Sequence, residues 1–98
     1  MNKILSNDEI KKFKEEGAVF LKNKFDIQWI NKLQKGIERD ITNPSPRFKS
    51  HTVEKGVPVY IEDYWTWHLV PEFKDFVYNS PYAQIASELM SASKINLV

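Results

Sequence analysis

The segment 27–42, IQWINKLQKGIERDIT, constrains the fold most, because its apolar residues recur at steps of three and four. That spacing is typical of one buried face of an amphipathic helix. Asp26 is a good N-cap, and the prolines of NPSP, residues 43–46, end the helix, since the residue before a proline avoids helical geometry. We therefore predict a helix from Asp26 to about Asn43 that forms the spine of the core. Its predicted buried face consists of Ile30, Leu33, Ile37 and Ile41.

A shorter helix is predicted at residues 7–16, ahead of this spine. Ser6 and Glu9 have the spacing of a capping box, in which each side chain bonds the other residue's backbone N–H. Gly17 supplies the left-handed residue that commonly ends a helix. The apolar run AVFL, residues 18–21, follows directly and predicts a short strand.

The second half of the chain alternates between turn signals and apolar runs. Residues 43–58 contain three of the five prolines and are predicted to form a loop. Val57, Val59 and Ile61 alternate with other residues and predict an edge strand. Pro71 indicates the first turn of a third helix, Ser80 and Pro81 the start of a fourth, and residues 95–98 a strand. The predicted class is α+β, mainly helical with a few short strands, in one domain or domain fragment spanning residues 1–98.

Charge and composition exclude several functional classes. The net charge is +1, and acidic and basic residues alternate rather than forming the one-signed patch that nucleic acid requires. The absence of cysteine removes disulfides, cysteine-based zinc sites and thiol nucleophiles. No segment approaches the roughly 18 apolar residues of a membrane span, and the N-terminus has no apolar run of signal-peptide length. We therefore expect a cytoplasmic protein that binds neither nucleic acid nor membranes.

Residue spacing alone reveals no catalytic set. His51 and His68 are the only histidines, and neither begins a His-x-Asp or His-x-x-x-His pair. The adjacent acids Glu62 and Asp63 would point to opposite faces of a strand, so they would not act as a joint acid–base pair. The three glycines are too widely separated for a phosphate-binding loop.

The aromatic segment YIEDYWTWHLVPEF, residues 60–73, is the strongest candidate for a site. It contains two of the three tryptophans and two of the four tyrosines. On an extended segment Trp65 and Trp67 would share one face and Tyr64 the other, so one face could pack on the helices while the other lines a cavity. Core packing and ligand binding both remain open from the sequence. The candidate substrate-mouth or interface residues are Tyr64, Trp65, Trp67 and His68.

Residues 60–90, YIEDYWTWHLVPEFKDFVYNSPYAQIASELM, resemble the N-terminal portion of the phytanoyl-CoA dioxygenase family. The distinctive parts are an acid followed by Asp-Tyr-Trp-x-Trp, then Pro-Glu-Phe, then Ser-Pro-x-Ala-x-x-Ala-x-x-Leu-Met. Residues 5–23, LSNDEIKKFKEEGAVFLKN, are similar to the opening helix and first strand of the same family. The resemblance therefore covers nearly the whole chain.

This resemblance implies a specific parent fold and chemistry. Members of the family fold as a jelly roll with flanking helices, and they hydroxylate small organic substrates with Fe(II), 2-oxoglutarate and O₂. Their iron is held by a His-x-Asp pair and a distal histidine. None of the 98 residues matches those ligands or the basic residue that anchors 2-oxoglutarate. We expect a fragment truncated before the metal-binding motif, with no catalytic, cofactor-binding or metal-binding residues of its own.

Two functional hypotheses follow. In the first, the chain is the N-terminal part of a dioxygenase-like protein, inactive alone. In the second, it is a self-standing, non-enzymatic interaction module that presents aromatic residues to a partner. On the first hypothesis we predict a homodimer, because without the rest of the fold an aromatic patch (Trp65, Trp67 and Phe73) and residues 95–98 would expose apolar surface to water. A monomer would favour the second hypothesis.

Overall fold

The computed structural model describes residues 2–51, 55–56 and 60–97. Within these ranges the chain forms four helices and one antiparallel sheet of two short strands, which confirms a mainly helical α+β class. In chain order the elements are α1 (Asn7–Glu16), α2 (Ile27–Thr42), β1 (Lys49–Ser50), β2 (Ile61–Glu62), α3 (Pro71–Asn79) and α4 (Tyr82–Met90).

Helix α1 begins and ends where the sequence predicts. The Ser6 hydroxyl accepts the Glu9 backbone N–H at 3.1 Å, and the Glu9 carboxylate accepts the Ser6 N–H at 2.9 Å. Gly17 ends the helix in the left-handed conformation, with φ of 80°. The strand predicted at residues 18–21 is wrong: this segment is irregular and Phe20 is 83% exposed. A strand needs a neighbour to satisfy its backbone groups, and the only strand pairing among the described residues is that of β1 with β2.

Helix α2 has the predicted length, but its predicted buried face is wrong. Leu33 is half-buried, whereas Ile30, Ile37 and Ile41 are each 44–50% exposed. The buried residue of this helix is Gly36. Because successive helical residues turn by about 100°, the isoleucines lie roughly a third of a turn away from Gly36, on the face that packs on α3.

Helices α2 and α3 approach each other closely at Gly36. A Cβ atom added there would lie 2.5 Å from Cε1 of Phe73 and 3.1 Å from Cβ of Glu72, so only glycine fits without a shift. Two ion pairs join the same helices. Arg39 binds Glu72 through two nitrogens, at 2.8 and 2.9 Å, and Lys32 binds Asp75.

An aromatic cluster joins the start of α2 to α3 and α4. Phe76 is at its centre, with its ring centroid 5.3 Å from that of Phe25, 6.1 Å from Trp29 and 5.4 Å from Tyr82. Contacts at these distances add to the stability gained from burying the rings. The cluster therefore holds α2, α3 and α4 together.

The short sheet interrupts the region predicted to be a loop. Lys49 pairs with Glu62 and Ser50 with Ile61, and the His51 N–H donates to the Tyr60 carbonyl at 2.7 Å. Of the strand predicted from Val57, Val59 and Ile61, the first two residues lie outside the described residues. The sequence analysis did not predict β1, because two residues are too few to produce a pattern of alternation.

The last two helices follow the proline signals closely. Pro71 is the first residue of α3, as predicted. Helix α4 begins at Tyr82, one residue later than expected, and the Ser80 hydroxyl accepts the Tyr82 N–H at 3.1 Å. The strand predicted at residues 95–98 is wrong for 95–97, which are irregular, and Val98 lies outside the described residues.

The core is small and is built around the starts of helices. Its most buried apolar side chains are Leu5, Val70 and Ile85. Beside it the Glu88 carboxylate accepts the backbone N–H groups of Ile4 and Leu5, the latter at 2.8 Å, and so ties α4 to the residues preceding α1. Burial alone would raise the pKa of Glu88, but these two N–H groups and Gln84 outweigh it and the pKa is lowered.

Candidate functional site

The segment between β2 and α3 carries the candidate aromatic residues, and it is bent rather than extended. Trp65 has φ of 54°, in the left-handed region that a bulky residue rarely adopts. The Thr66 carbonyl then accepts the N–H groups of Leu69 and Val70, at 3.0 and 2.9 Å, which closes a turn ahead of α3. The predicted alternation of side chains is therefore wrong from Trp65 onwards.

The bend places Trp65 and Trp67 at one apolar cavity, which we call the Trp65 cavity. Its volume is about 320 Å³. It lies where the bent segment meets α2, α3, α4 and the end of the described chain. The lining residues are Leu33, Trp65, Thr66, Trp67, Phe73, Phe76, Val77, Tyr82 and Leu97. Such a lining is typical of small-molecule pockets, which are mostly apolar and have volumes of roughly 300–1,000 Å³.

A second cleft, which also includes Trp65 in its lining, carries charged side chains, and we call it the Arg47 cleft. It has a volume of about 660 Å³ and is lined by Arg47, Asp63, Tyr64 and Trp65. The Arg47 Nε donates to the Tyr64 carbonyl at 3.1 Å, and its guanidinium carbon lies 5.5 Å from the Trp65 ring centroid. None of the ion pairs among the described residues includes Arg47.

The acidic group of the cleft, Asp63, is held in place by Ser45. The Ser45 hydroxyl and the Tyr64 N–H both donate to Asp63 Oδ1, and the Ser45 N–H donates to Oδ2 at 3.1 Å. Burial alone would raise the pKa of Asp63, but the Ser45 groups and Asp40 outweigh it, so the pKa is lowered. Asp63 is therefore ionised at neutral pH.

Asp40, near the end of α2, is a second carboxyl group beside Asp63. Burial, together with the hydrogen bond and the negative charge of Asp63, raises the pKa of Asp40 to about 6. The two groups share one proton below that pH, because adjacent carboxylates resist ionising together. Perturbed carboxyl groups beside a cleft are a recognised indicator of a functional site.

Glu62, adjacent to Asp63 in sequence, takes part in a separate contact. It accepts a hydrogen bond from the Tyr64 hydroxyl at 2.6 Å and lies 3.3 Å from His51 Nε2. The Tyr64 hydroxyl and His51 lower the pKa of Glu62. Glu62 and Asp63 thus have different side-chain partners, His51 and Tyr64 for Glu62 and Ser45 for Asp63.

The structure brings three of the four candidate aromatic-site residues to the two cavities. Trp65 lines both, Tyr64 lines the Arg47 cleft, and Trp67 lines the Trp65 cavity. His68 lies outside both linings; it is exposed and packs edge-on against Trp67, with ring centroids 5.5 Å apart.

The sequence did not identify the charged residues of the cleft, Arg47 and Asp63, or the neighbouring Asp40. Arg47 and Asp40 lie in other parts of the chain from the aromatic segment, and Asp63 was judged only in relation to Glu62. Arg47 is one of only two arginines, and it follows Ser45-Pro46, which indicates a turn. A rare arginine beside a turn is the signal that could have identified it.

In residues 2–51, 55–56 and 60–97, no group of three or more His, Asp or Glu side chains is placed to hold a metal ion. None of the helices in this part of the chain is long and apolar enough to cross a bilayer. No protein-family model, curated protein or solved structure matches the chain.

Proposed function

We propose that this chain is the N-terminal helical part of a phytanoyl-CoA dioxygenase-like protein and has no catalytic activity alone. The proposal rests first on the resemblance of residues 5–23 and 60–90 to that family. In such a protein the helices would flank a jelly roll, and the bent aromatic segment would help to shape the substrate mouth.

The exposed isoleucines of α2 are the observation that carries this proposal. Together they form an apolar stripe along one side of the helix, which we call the isoleucine stripe. Its members are Ile27, 68% exposed, Ile30, Ile37 and Ile41. Scattered exposed apolar residues need no explanation, but several on one side of a helix indicate a surface that another protein element covers. A flanking helix of a larger fold has such a surface.

The residues of this chain do not fit the family's iron site. The chain contains no His-x-Asp, and His51 and His68 lie in different surroundings, one beside Glu62 and one against Trp67. No step of the reaction is therefore assigned to these residues. The contribution we propose is structural: packing against the jelly roll and shaping the entrance to it.

A second candidate function is a self-standing, non-enzymatic interaction module. The observation that favours it is the exposure of Trp65 and Tyr64, at 60% and 49%, beside an arginine without an ion-pair partner in the described part of the chain. Tryptophan, tyrosine and arginine are the residues most enriched at the energetic centres of interfaces.

Two measurements distinguish the two functions: the sequence of the transcript and the mass of the native protein. The dioxygenase-like proposal expects an in-frame His-x-Asp downstream of codon 98 and a native mass larger than that of 98 residues. A stop codon after Val98 with unrelated sequence beyond it would favour the interaction module instead.

The proposed lack of catalysis has its own test. Anaerobic calorimetric titration of the chain with Fe(II) and 2-oxoglutarate should detect no one-to-one site with a Kd below about 10 μM. A tighter stoichiometric site would show that these residues hold the metal after all and would overturn the proposal of an inactive part.

A further inference from the structure

The Arg47 cleft presents one positive and one negative group beside an apolar cavity. From this arrangement we propose that the chain binds a free apolar α-amino acid. Its carboxylate binds Arg47, its ammonium group binds Asp63, and its side chain enters the Trp65 cavity. The inference goes beyond the proposed function, because every group it uses belongs to the described residues of this chain.

Arg47 is prepared to receive a carboxylate. Its Nε is used by the Tyr64 carbonyl and its backbone N–H by the Ser45 hydroxyl, at 3.1 Å each. No described residue accepts a hydrogen bond from its terminal Nη groups. A guanidinium carries five N–H donors in a planar fork that matches a carboxylate. Stacking on Trp65 and the bond to Tyr64 hold this fork in one orientation, so little freedom is lost on binding.

Asp63 supplies the opposite charge from the same cleft. Its Oδ1 accepts two hydrogen bonds and its Oδ2 accepts one from within the protein. Protonated Asp40 donates a further hydrogen bond to Asp63, and a carboxylate has about four acceptor positions, so one position becomes available to an ammonium donor once Asp40 loses its proton. The neighbouring Asp40 adds negative charge above about pH 6. A cation placed between them would offset the repulsion of the two carboxylates.

Trp65 connects the charged cleft to the apolar cavity. Trp65 lines both, and its backbone is in the left-handed conformation. Such conformations persist where the surrounding structure compensates for them, and they concentrate at ligand sites. The Trp65 cavity, about 320 Å³, has the volume and lining for an aromatic or branched aliphatic side chain.

Ligands with only one of the two charges fit this cleft less well. A simple carboxylic acid would bring its negative charge near Asp63, and a simple amine would bring its positive charge near Arg47. An α-amino acid carries both charges on neighbouring atoms and offsets both. The pairing of opposite charges across the cleft therefore selects the zwitterion.

Three probes with the same aromatic body test the proposal on the whole chain. L-phenylalanine, 3-phenylpropionate and phenethylamine differ only in their charged groups, and each is titrated calorimetrically near pH 7.5. We expect saturable one-to-one binding of L-phenylalanine. Each analogue should bind at least about tenfold more weakly, the ratio expected for losing one charged hydrogen-bonded pair.

The unfavourable outcomes are equally distinct. Absence of saturable L-phenylalanine binding would overturn the proposal. Equal binding of 3-phenylpropionate would show that Asp63 plays no part and that the cleft is an anion site only. Equal binding of phenethylamine would show that Arg47 does not bind the ligand carboxylate. None of these results depends on the transcript or iron tests. The amino-acid site can therefore be rejected without rejecting the proposed function, and the reverse also holds.

Variants assign the two charged groups, with the other arginine as a matched control. Arg47→Gln should weaken L-phenylalanine binding at least about tenfold but should not weaken phenethylamine binding, since it removes a positive charge near the amine. Arg39→Gln removes an equal charge from the α2–α3 ion pair, lines neither cavity, and should leave the affinity unaltered. Equal weakening by both variants would indicate a general charge effect and reject the site. Asp63→Asn tests the ammonium site directly. If this variant melts at a lower temperature, the three probes and Arg47→Gln still test the proposal.

Discussion

Gly36 on α2 faces Phe73 on α3 with no room for a side chain between them. A Cβ atom at position 36 would lie 2.5 Å from Phe73 Cε1, well inside any normal contact. The glycine is therefore a packing requirement of the α2–α3 interface, although glycine is a poor helix former. The close approach also brings Arg39 and Glu72 into their two-nitrogen ion pair.

Replacing this glycine with alanine should destabilise the protein. Alanine would favour an exposed helix by roughly 1 kcal/mol, but overpacking here should reverse the sign and lower the free energy of unfolding by about 1–3 kcal/mol. Urea denaturation of Gly36→Ala measures the change. Gln34→Ala, on an exposed part of α2, should stay within about 0.5 kcal/mol of wild type. If Gly36→Ala is more stable than wild type, the helices are further apart than described.

The carboxylate of Glu88 should be a strong contributor to stability at neutral pH. Glu88→Gln removes the charge that accepts the Ile4 and Leu5 N–H groups and should cost about 1–3 kcal/mol. Because its folded pKa lies below the ordinary value of 4.5, this stability is present above that pH and is lost as pH falls through the folded pKa. Glu15→Gln, in an exposed ion pair with Lys11, is the control and should change little.

The contribution of Asp40 to the free energy of unfolding should depend on pH in the opposite direction to that of Glu88. It keeps its proton up to about pH 6 in the fold but loses it near pH 3.8 in the unfolded chain, which therefore binds fewer protons between these values. Stability should fall as pH rises across this window and remain lower above it. Asp40→Asn should remove the fall and be more stable than wild type by about 1–3 kcal/mol near pH 7.5. Glu38→Gln is the control and should keep the wild-type dependence of stability on pH. If Asp40→Asn keeps it too, the pKa of Asp40 is not raised.

Self-association should depend on the isoleucine stripe rather than on the predicted aromatic patch alone. Trp67 and Phe73 are half-buried, whereas Ile30 and Ile37 are about half exposed and lie on one side of α2. Light scattering behind a sizing column near 100 μM should show a dimer, since two-fold pairing is the commonest closed assembly.

The double variant Ile30→Gln and Ile37→Gln should be monomeric under the same conditions. Phe20→Gln, which removes an exposed ring outside the stripe, should remain dimeric. A wild-type protein that is already monomeric, or dimers that persist in the double variant, would contradict this prediction.

The parts of the fold predicted from sequence are those determined by local interactions. The Ser6 and Glu9 capping box, Gly17 and Pro71 act on residues within one turn of themselves, and their helices begin and end as expected. The strands predicted at 18–21 and 95–97 depended on partners elsewhere in the chain, and neither has one among the described residues.

Two further errors had tertiary causes. Periodicity showed that α2 has an apolar stripe, but not that Gly36 would pack on α3 in its place. At the candidate site, Trp65 and Trp67 were found from composition, whereas their charged neighbours were not. Arg47 and Asp40 lie near that site because the chain folds back on itself, and no short sequence motif predicts such a long-range contact.

The bond between Leu5 and Glu88 also affects the order in which the structure forms and opens. These residues are 83 positions apart, whereas Arg39 and Glu72, which join α2 to α3, are 33 apart. Closing a longer loop carries a larger entropic cost, so α1 should dock after α2 and α3 have met. In hydrogen exchange the amides of α1 should then open by a local release from α4, while those of α2 exchange only when the aromatic cluster separates. Solvent would reach α1 first.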